Sequence, residues 1–252
     1  MLSVHLVPAF QDNYIFCASD GAHGIFIVDP GDPAPVIAFL EERQVRPTAI
    51  LCTHHHGDHV GGNETLASRY QIPVYGPSQR IPALTRALQA GTHEVEGVAM
   101  QVIAVPGHTR DHIAYFFENS LFCGDTLFAA GCGRLFEGTP AQMYHSLQRL
   151  AALPTHTQVF CAHEYTLGNL AFAAAVEPDN AAIQARRQET CTRRARHLPS
   201  IPSRLDLELA TNPFLRTHVP AVRNAAHRFD PNCDPNDPIA VFAALRRWKD
   251  EF

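Results

Sequence analysis

The most chemically loaded segment of the chain is Thr53-His54-His55-His56-Gly57-Asp58-His59. Its ligand-type side chains stand two, two and one residues apart, a spacing that no single helix face gathers. A loop leaving a strand aims alternate side chains to one side. His54 and His56 then point together, while Asp58 and His59 reach a second point nearby. Imidazole nitrogen with carboxylate oxygen suits Zn²⁺, Fe or Mn²⁺. Two complete metal shells need further ligands, and three residues sit just past short apolar runs. These are His108 in Val105-Pro106-Gly107-His108, Asp125 after Leu121–Cys123, and His163 after Val159–Cys161. Together they make five histidines and two aspartates, enough for two metals sharing one bridging carboxylate. His55 points opposite to its neighbours and is expected beside the ligands rather than among them. His93, His112, His145 and His156 are not required, and His5, His23, His197, His218 and His227 carry no contextual signal. Cys132, in Gly-Cys-Gly-Arg, has no base motif to make it a nucleophile.

The elements that must position these residues follow from the apolar runs. Residues 25–29 read as a buried strand ending at Pro30-Gly31, with a helix opened by Pro35, and residues 49–52 as the strand feeding the histidine loop. Asn63 is expected to cap a helix running to Tyr70. Further strands are expected at 99–105, 113–117, 121–123 and 158–161, with a helix over 140–152. After about residue 165 the pattern is helical, near 167–176, 180–196 and 238–250. Strands and helices in this order imply an α/β (α+β) layered core with mixed sheets.

The chain has 252 residues, 46% of them hydrophobic and 18% charged, which is ample for a packed core and excludes disorder. The formal charge of −5 hides an asymmetry. Residues 1–179 carry 8 basic and 17 acidic side chains, and residues 180–252 carry 12 basic and 8 acidic. An acidic metal-bearing part argues against a nucleic-acid module. Nineteen of the twenty basic residues are arginine, and Lys249 is the one lysine. Seven cysteines with no CxxC pair read as buried thiols of a reducing compartment, and the N-terminus shows no secretory pattern, so the cytoplasm is expected. The longest apolar stretch, Leu170 to Val176, is too short to span a bilayer.

The motifs, taken in order, resemble those of the metallo-β-lactamase superfamily, and within it the type II glyoxalases (hydroxyacylglutathione hydrolases). They are FQDNY (10–14), VDPG (28–31), THHHGDHVGG (53–62), PGHT (106–109), CGDTLF (123–128), GCGRLFEGT (131–139), AHEYT (162–166) and NPFLR (212–216). The histidine motif specifies only the superfamily. GCGRLFEGT, AHEYT and the Arg-Arg-Trp-Lys near the C-terminus narrow it. The resemblance implies an αββα sandwich over residues 1–165 and a helical substrate-binding domain over 166–252. It implies that His54, His56 and His108 hold one metal, that Asp58, His59 and His163 hold the other, and that Asp125 bridges them. Two divalent ions per chain are implied, Zn²⁺ foremost, with Asp58 and Asp125 as the catalytic carboxylates. Arg134, Tyr165, Arg246 and Lys249 are implied to hold the glutathione part of the substrate.

The implied reaction is hydrolysis of S-D-lactoylglutathione and related 2-hydroxyacyl thioesters to the acid and glutathione, the second step of methylglyoxal detoxification. A hydroxide between two metals about 3.5–4 Å apart would attack the thioester. Related chemistries on this fold are a one-iron persulfide dioxygenase, a lactonase and a β-lactamase. A one-iron site would not need Asp58, His59 and His163 as a second shell. No nucleic acid or membrane is expected as a partner, and a monomer is expected. Three residues depart from the family pattern. Gly57 replaces a bulkier residue and gives the metal loop extra freedom. Asp111 replaces a frequent glycine, adding a carboxylate three residues from His108. Phe136 stands where many relatives carry a tyrosine hydroxyl, at a cost of about 0.5–1.5 kcal/mol if that hydrogen bond is simply lost.

Overall fold

Short runs of β-branched and aromatic residues build the first part of the molecule. In a computed structural model, which describes residues 2–252, the chain divides into two compact units. One comprises the chain up to Ala104 together with Asp111–Gly124. The other comprises Val105–Arg110 and Asp125–Phe252.

The first unit carries a mixed sheet whose strands follow one another in space as in sequence: Ser3–Ala9, Asn13–Ser19, Ile25–Val28, Pro47–Leu51, Val74–Gly76 and Arg86–Ala87. The first three are antiparallel and the rest parallel. Parallel neighbours need crossovers, supplied by the helices Pro33–Arg43 and Asn63–Tyr70. Because helices cover one face and the second sheet covers the other, Ile25–Val28 is buried at every position and reads as an unbroken apolar run. Val36, Leu40 and Leu66 seat these helices on Ile15, Ile27 and Ile50. A second, antiparallel set holds Gly91–Val95, Val98–Ala104, Ile113–Phe117 and Ser120–Gly124. Phe16 meets Phe122 at 5.6 Å and Phe26 meets Phe117 at 6.2 Å, so aromatic rings fill the space between the two sheets.

Two local expectations need correction. The first helix begins at Pro33 rather than Pro35, because Asp32 caps it by accepting from the amide of Ala34 at 2.9 Å. Asn63 does not cap the next helix. Gly62 occupies that position, and the buried Asn63 amide reaches Cys52 Sγ and the Pro82 carbonyl instead, each at 3.2 Å. The hairpin Ser3–Ala9/Asn13–Ser19 has no counterpart among the expected strands. His5 and Pro8 interrupt the apolar run of its edge strand, which hides the pattern.

The second unit holds the hairpin Leu127–Phe128/Gly131–Cys132, the strand pair Gln158–Cys161/Ser203–Arg204, and helices. Helix starts are written in the sequence. Thr139 and Gln142 form a capping box ahead of Pro140–Ala151, Asn180 caps Ala181–Ala195, and Asp237 caps Pro238–Glu251. Phe172, Phe214 and Phe242 are fully buried, with ring centroids 5.9 and 5.7 Å apart in succession. Helices Leu205–Thr211 and Pro220–Phe229 add to those expected. Among the described residues, no helix is long and apolar enough to cross a membrane. All seven cysteines are free thiols, six of them buried.

Candidate metal centre and substrate cavity

In the first unit, the strand Pro47–Leu51 delivers the histidine loop and the turn after Ile25–Val28 fixes it. Asp29 is buried, with φ of 51°, in the left-handed region that favours glycine. Its carboxylate accepts from the Thr53 amide and the Thr53 hydroxyl, both at 2.7 Å, and faces His59 Nδ1 at 3.0 Å. Gly31 in the same turn is obligatory, since a Cβ there would lie 1.9 Å from the Asp58 carbonyl oxygen. The Thr53 hydroxyl donates to Asp29, so its lone pair accepts from His54 Nδ1 at 3.1 Å. Both rings thereby have Nδ1 engaged, which leaves Nε2 as the ligating nitrogen. His54, His56 and His59 cluster, with ring centroids 4.7 and 4.1 Å from His54. Asp58 Oδ2 stands 3.5 Å from His59 Nε2 and accepts from Asn13 Nδ2 at 3.0 Å. Although Asp29, His54 and His59 bring ligand-type atoms within 4.8 Å of one another, the Asp29 oxygens are already engaged by Thr53 and His59, so Asp29 orients ligands.

In the second unit, Asp125 lies between two histidines. Its Oδ2 is 3.4 Å from His108 Nε2 and its Oδ1 is 3.3 Å from His163 Nε2. His108 Nδ1 is 2.9 Å from the Arg134 carbonyl, so again the far nitrogen is the one turned to the carboxylate. Gly133 has no room for a side chain, because a Cβ would lie 1.9 Å from the Asp125 carbonyl oxygen. Every donor is imidazole nitrogen or carboxylate oxygen, and several have their second nitrogen held by an acceptor. That arrangement fits divalent metal ions.

A cavity of about 590 Å³ opens in the same unit, lined by His108, Asp125, Arg134, Tyr165, Arg246 and Lys249 among others. The structure therefore brings the four expected substrate-binding residues together with two of the expected ligands. Tyr165 stacks on His163 at 4.8 Å and 3°, and Phe136 stands edge-on to His108 at 5.2 Å with its face in solvent. The cations are not equivalent. Arg246 is buried and committed, giving one nitrogen to the Cys132 carbonyl at 2.8 Å and another to Asp250 at 3.0 Å. Arg134 is exposed, with Nε 3.4 Å from the same Asp250 carboxylate. The Lys249 ammonium lies over Phe172 and Phe252 at 5.7 and 5.6 Å. Burial, with Arg246 and Arg134 nearby, holds its pKa below the usual lysine range. Burial raises the Cys132 thiol to about 11, outweighing Arg246, so it is no nucleophile near neutral pH. Asn13 and Asp29 escaped the sequence reading as site residues, although they lie in two motifs it singled out, FQDNY and VDPG.

Residues 8–163 match the model of the metallo-β-lactamase superfamily, and residues 164–252 match that of the hydroxyacylglutathione hydrolase C-terminus. A hydroxyacylglutathione hydrolase of Pseudomonas entomophila is 52% identical over 100% of both chains, and one of Alkalilimnicola ehrlichii is 51% identical over 100% of both. The chain belongs to the hydroxyacylglutathione hydrolase family. Its fold is the metallo-β-lactamase fold, shared by the solved ETHE1 from Myxococcus xanthus at a TM-score of 0.66 and 21% identity, over 98% of each chain. In this hydroxyacylglutathione hydrolase family member, Arg246 and Lys249 lie on one helix of the matched C-terminal segment, while Arg134 lies in the segment matched to the superfamily.

Proposed function

We propose that this enzyme hydrolyses thioesters of glutathione with 2-hydroxy acids, S-D-lactoylglutathione foremost, releasing the acid and glutathione in the cytoplasm as a monomer. The observation that carries the reading is a single cavity holding ligand-type residues, His108 and Asp125, beside the cations Arg134 and Lys249. Glutathione brings two carboxylates, and a basic wall next to a metal-type site matches such a substrate. The proposed division of labour puts thioester chemistry on residues 1–165, which also lend Arg134 and Tyr165 to the carrier site, and the rest of carrier recognition on 166–252. His54, His56 and His108 would hold one ion, Asp58, His59 and His163 the other, and Asp125 both, with Zn²⁺ as the native metal. Two such ions, when bound, lower the pKa of water toward roughly 7 and stabilise a developing oxyanion.

The chain's own groups account for the rest. Asp58, steadied by Asn13, orients the attacking water and takes its proton. The leaving thiol has a pKa near ~8.5, so it departs as a thiolate without a dedicated acid. Arg246, fixed by Cys132 and Asp250, sets the potential of the cavity, while Lys249 and Arg134 meet the carboxylates. Tyr165, parallel to His163, closes one side.

Loss of thioester absorbance on adding metal-loaded protein to S-D-lactoylglutathione tests the reading. Turnover supports it. No turnover, together with activity on a lactone or a persulfide, overturns it. In the same assay Lys249→Ala is expected to raise KM about ten- to a hundredfold with kcat little changed, since a lost charge-assisted hydrogen bond is worth about 1.5–3 kcal/mol and each tenfold is about 1.4 kcal/mol. Because its pKa is lowered, Lys249 loses its charge sooner as pH rises, so the parent's KM should climb at a less alkaline pH than an ordinary lysine would give. Equal changes in kcat and KM would place Lys249 in the chemical step instead.

A further inference from the structure

Asp111 and Gly57 act on the same loop. The segment 111–113 backs three consecutive residues of that loop. Ile113 N donates to the Thr53 carbonyl at 3.0 Å, the His112 ring stacks on His54 at 4.6 Å and 16°, and Asp111 Oδ1 stands 3.5 Å from His55 Nδ1. The other Asp111 oxygen accepts from the Ser78 hydroxyl. Ser78 sits in the turn after the strand Val74–Gly76, where its carbonyl accepts from Ile81 N at 3.1 Å. Asp111 thus ties the His55 side of the loop to a turn anchored in the sheet. A glycine at 111 would remove both contacts and add backbone freedom of its own.

Gly57 works in the opposite sense. It opens the short helix Gly57–Val60, and no atom lies within 4 Å of the position a Cβ would take. Neither sterics nor a left-handed backbone requires glycine there, so its main effect is a looser unfolded and partly ordered loop. We infer that Asp111 is a positioning residue for the metal loop, tethering it through His55 and Ser78 and offsetting the freedom that Gly57 introduces. The inference rests on the reading of His54, His56, Asp58 and His59 as metal ligands.

Zn²⁺ competition between the protein and a chromogenic chelator, with hydrogen exchange of amides 53–60 in the metal-free protein, provides the test. Asp111→Gly is expected to weaken Zn²⁺ retention about tenfold, the lower end of what outer-sphere ligand supports are worth, and to speed exchange across the loop. Asp111→Asn, which still accepts from Ser78, should keep most of the affinity. Adding Gly57→Ala to Asp111→Gly should recover most of the loss. If Asp111→Gly does not fold, Ser78→Ala, which removes a single hydroxyl, should shift retention and exchange in the same direction. Parent-like retention in Asp111→Gly, or no recovery on adding Gly57→Ala, overturns the inference. Thioester turnover by the parent is a separate readout. Its absence would sink the functional reading while leaving the tether intact.

Discussion

Asp125→Ala is expected to lower kcat about a thousandfold or more, with KM within a few-fold of the parent, because metal-centred charge stabilisation is worth several kcal/mol and each tenfold in rate is about 1.4 kcal/mol. The split follows from what Asp125 touches. Its two oxygens face His108 and His163 at 3.4 and 3.3 Å, one on each side, so a single truncation removes an anion standing between two ligand-type imidazoles. In the proposed division of roles the carrier contacts fall to Arg134, Tyr165 and Lys249 instead. The backbone should tolerate the change, since what constrains the turn is Gly133 against the Asp125 carbonyl, and alanine keeps that carbonyl. Metal analysis should show fewer ions per chain than in the parent. A variant with full metal content and near-parent kcat would mean that Asp125 bridges nothing.

How much of this was legible beforehand depends on the kind of signal. Asp125 could be picked out only in company: a carboxylate shortly after the apolar run Leu121–Cys123 is by itself more often structural, and it became a ligand candidate through the histidine motif together with His108 and His163. Chemical identity and spacing survive translation into structure when the residues sit on one loop, as with His54 to His59. Asp29 shows the opposite case. Its partners, Thr53 and His59, lie 24 and 30 residues away, and only the parallel pairing of Ile25–Val28 with Pro47–Leu51 brings them to it. Asn63 fails for a related reason. Its residue type suits a cap, yet a tertiary demand for an amide between Cys52 and Pro82 outweighed that local preference. The starts of Pro140–Ala151, Ala181–Ala195 and Pro238–Glu251 were readable because Thr139, Asn180 and Asp237 each keep a side-chain oxygen on the helix amides, even though Asn180 Nδ2 also donates to the Ala210 carbonyl at 3.2 Å. Arg246 enters as a carboxylate partner through the family resemblance, and nothing local could reveal that Cys132 and Asp250 already engage its guanidinium.

The largest stability effect should come from a residue that carries no chemistry. Glu208 is fully buried, and its carboxylate gathers four donors from separate segments. Arg186 donates at 2.5 Å, Ala130 N at 2.8 Å and Asn212 Nδ2 at 3.2 Å, and the Ser203 hydroxyl completes the set. Arg186, itself buried, has its other nitrogen on the Thr211 hydroxyl at 2.6 Å. Removing one member of such a pair leaves a buried charge without compensation, which costs about 3–5 kcal/mol. Glu208→Ala should therefore lower Tm by about 10 °C, given roughly 2–4 °C per kcal/mol for a chain of this size. Replacing both partners with methionine removes the charge that would be stranded, so the double variant should be more stable than Glu208→Ala alone. The readout also reaches the cavity, because Ala130 sits at φ of 55° in the hairpin that delivers Cys132 to Arg246. Thermal unfolding followed by circular dichroism decides the matter. A Tm within about 2 °C of the parent would mean that solvent reaches Arg186 once Glu208 is gone, and the energy assigned to the pair would then be solvation instead.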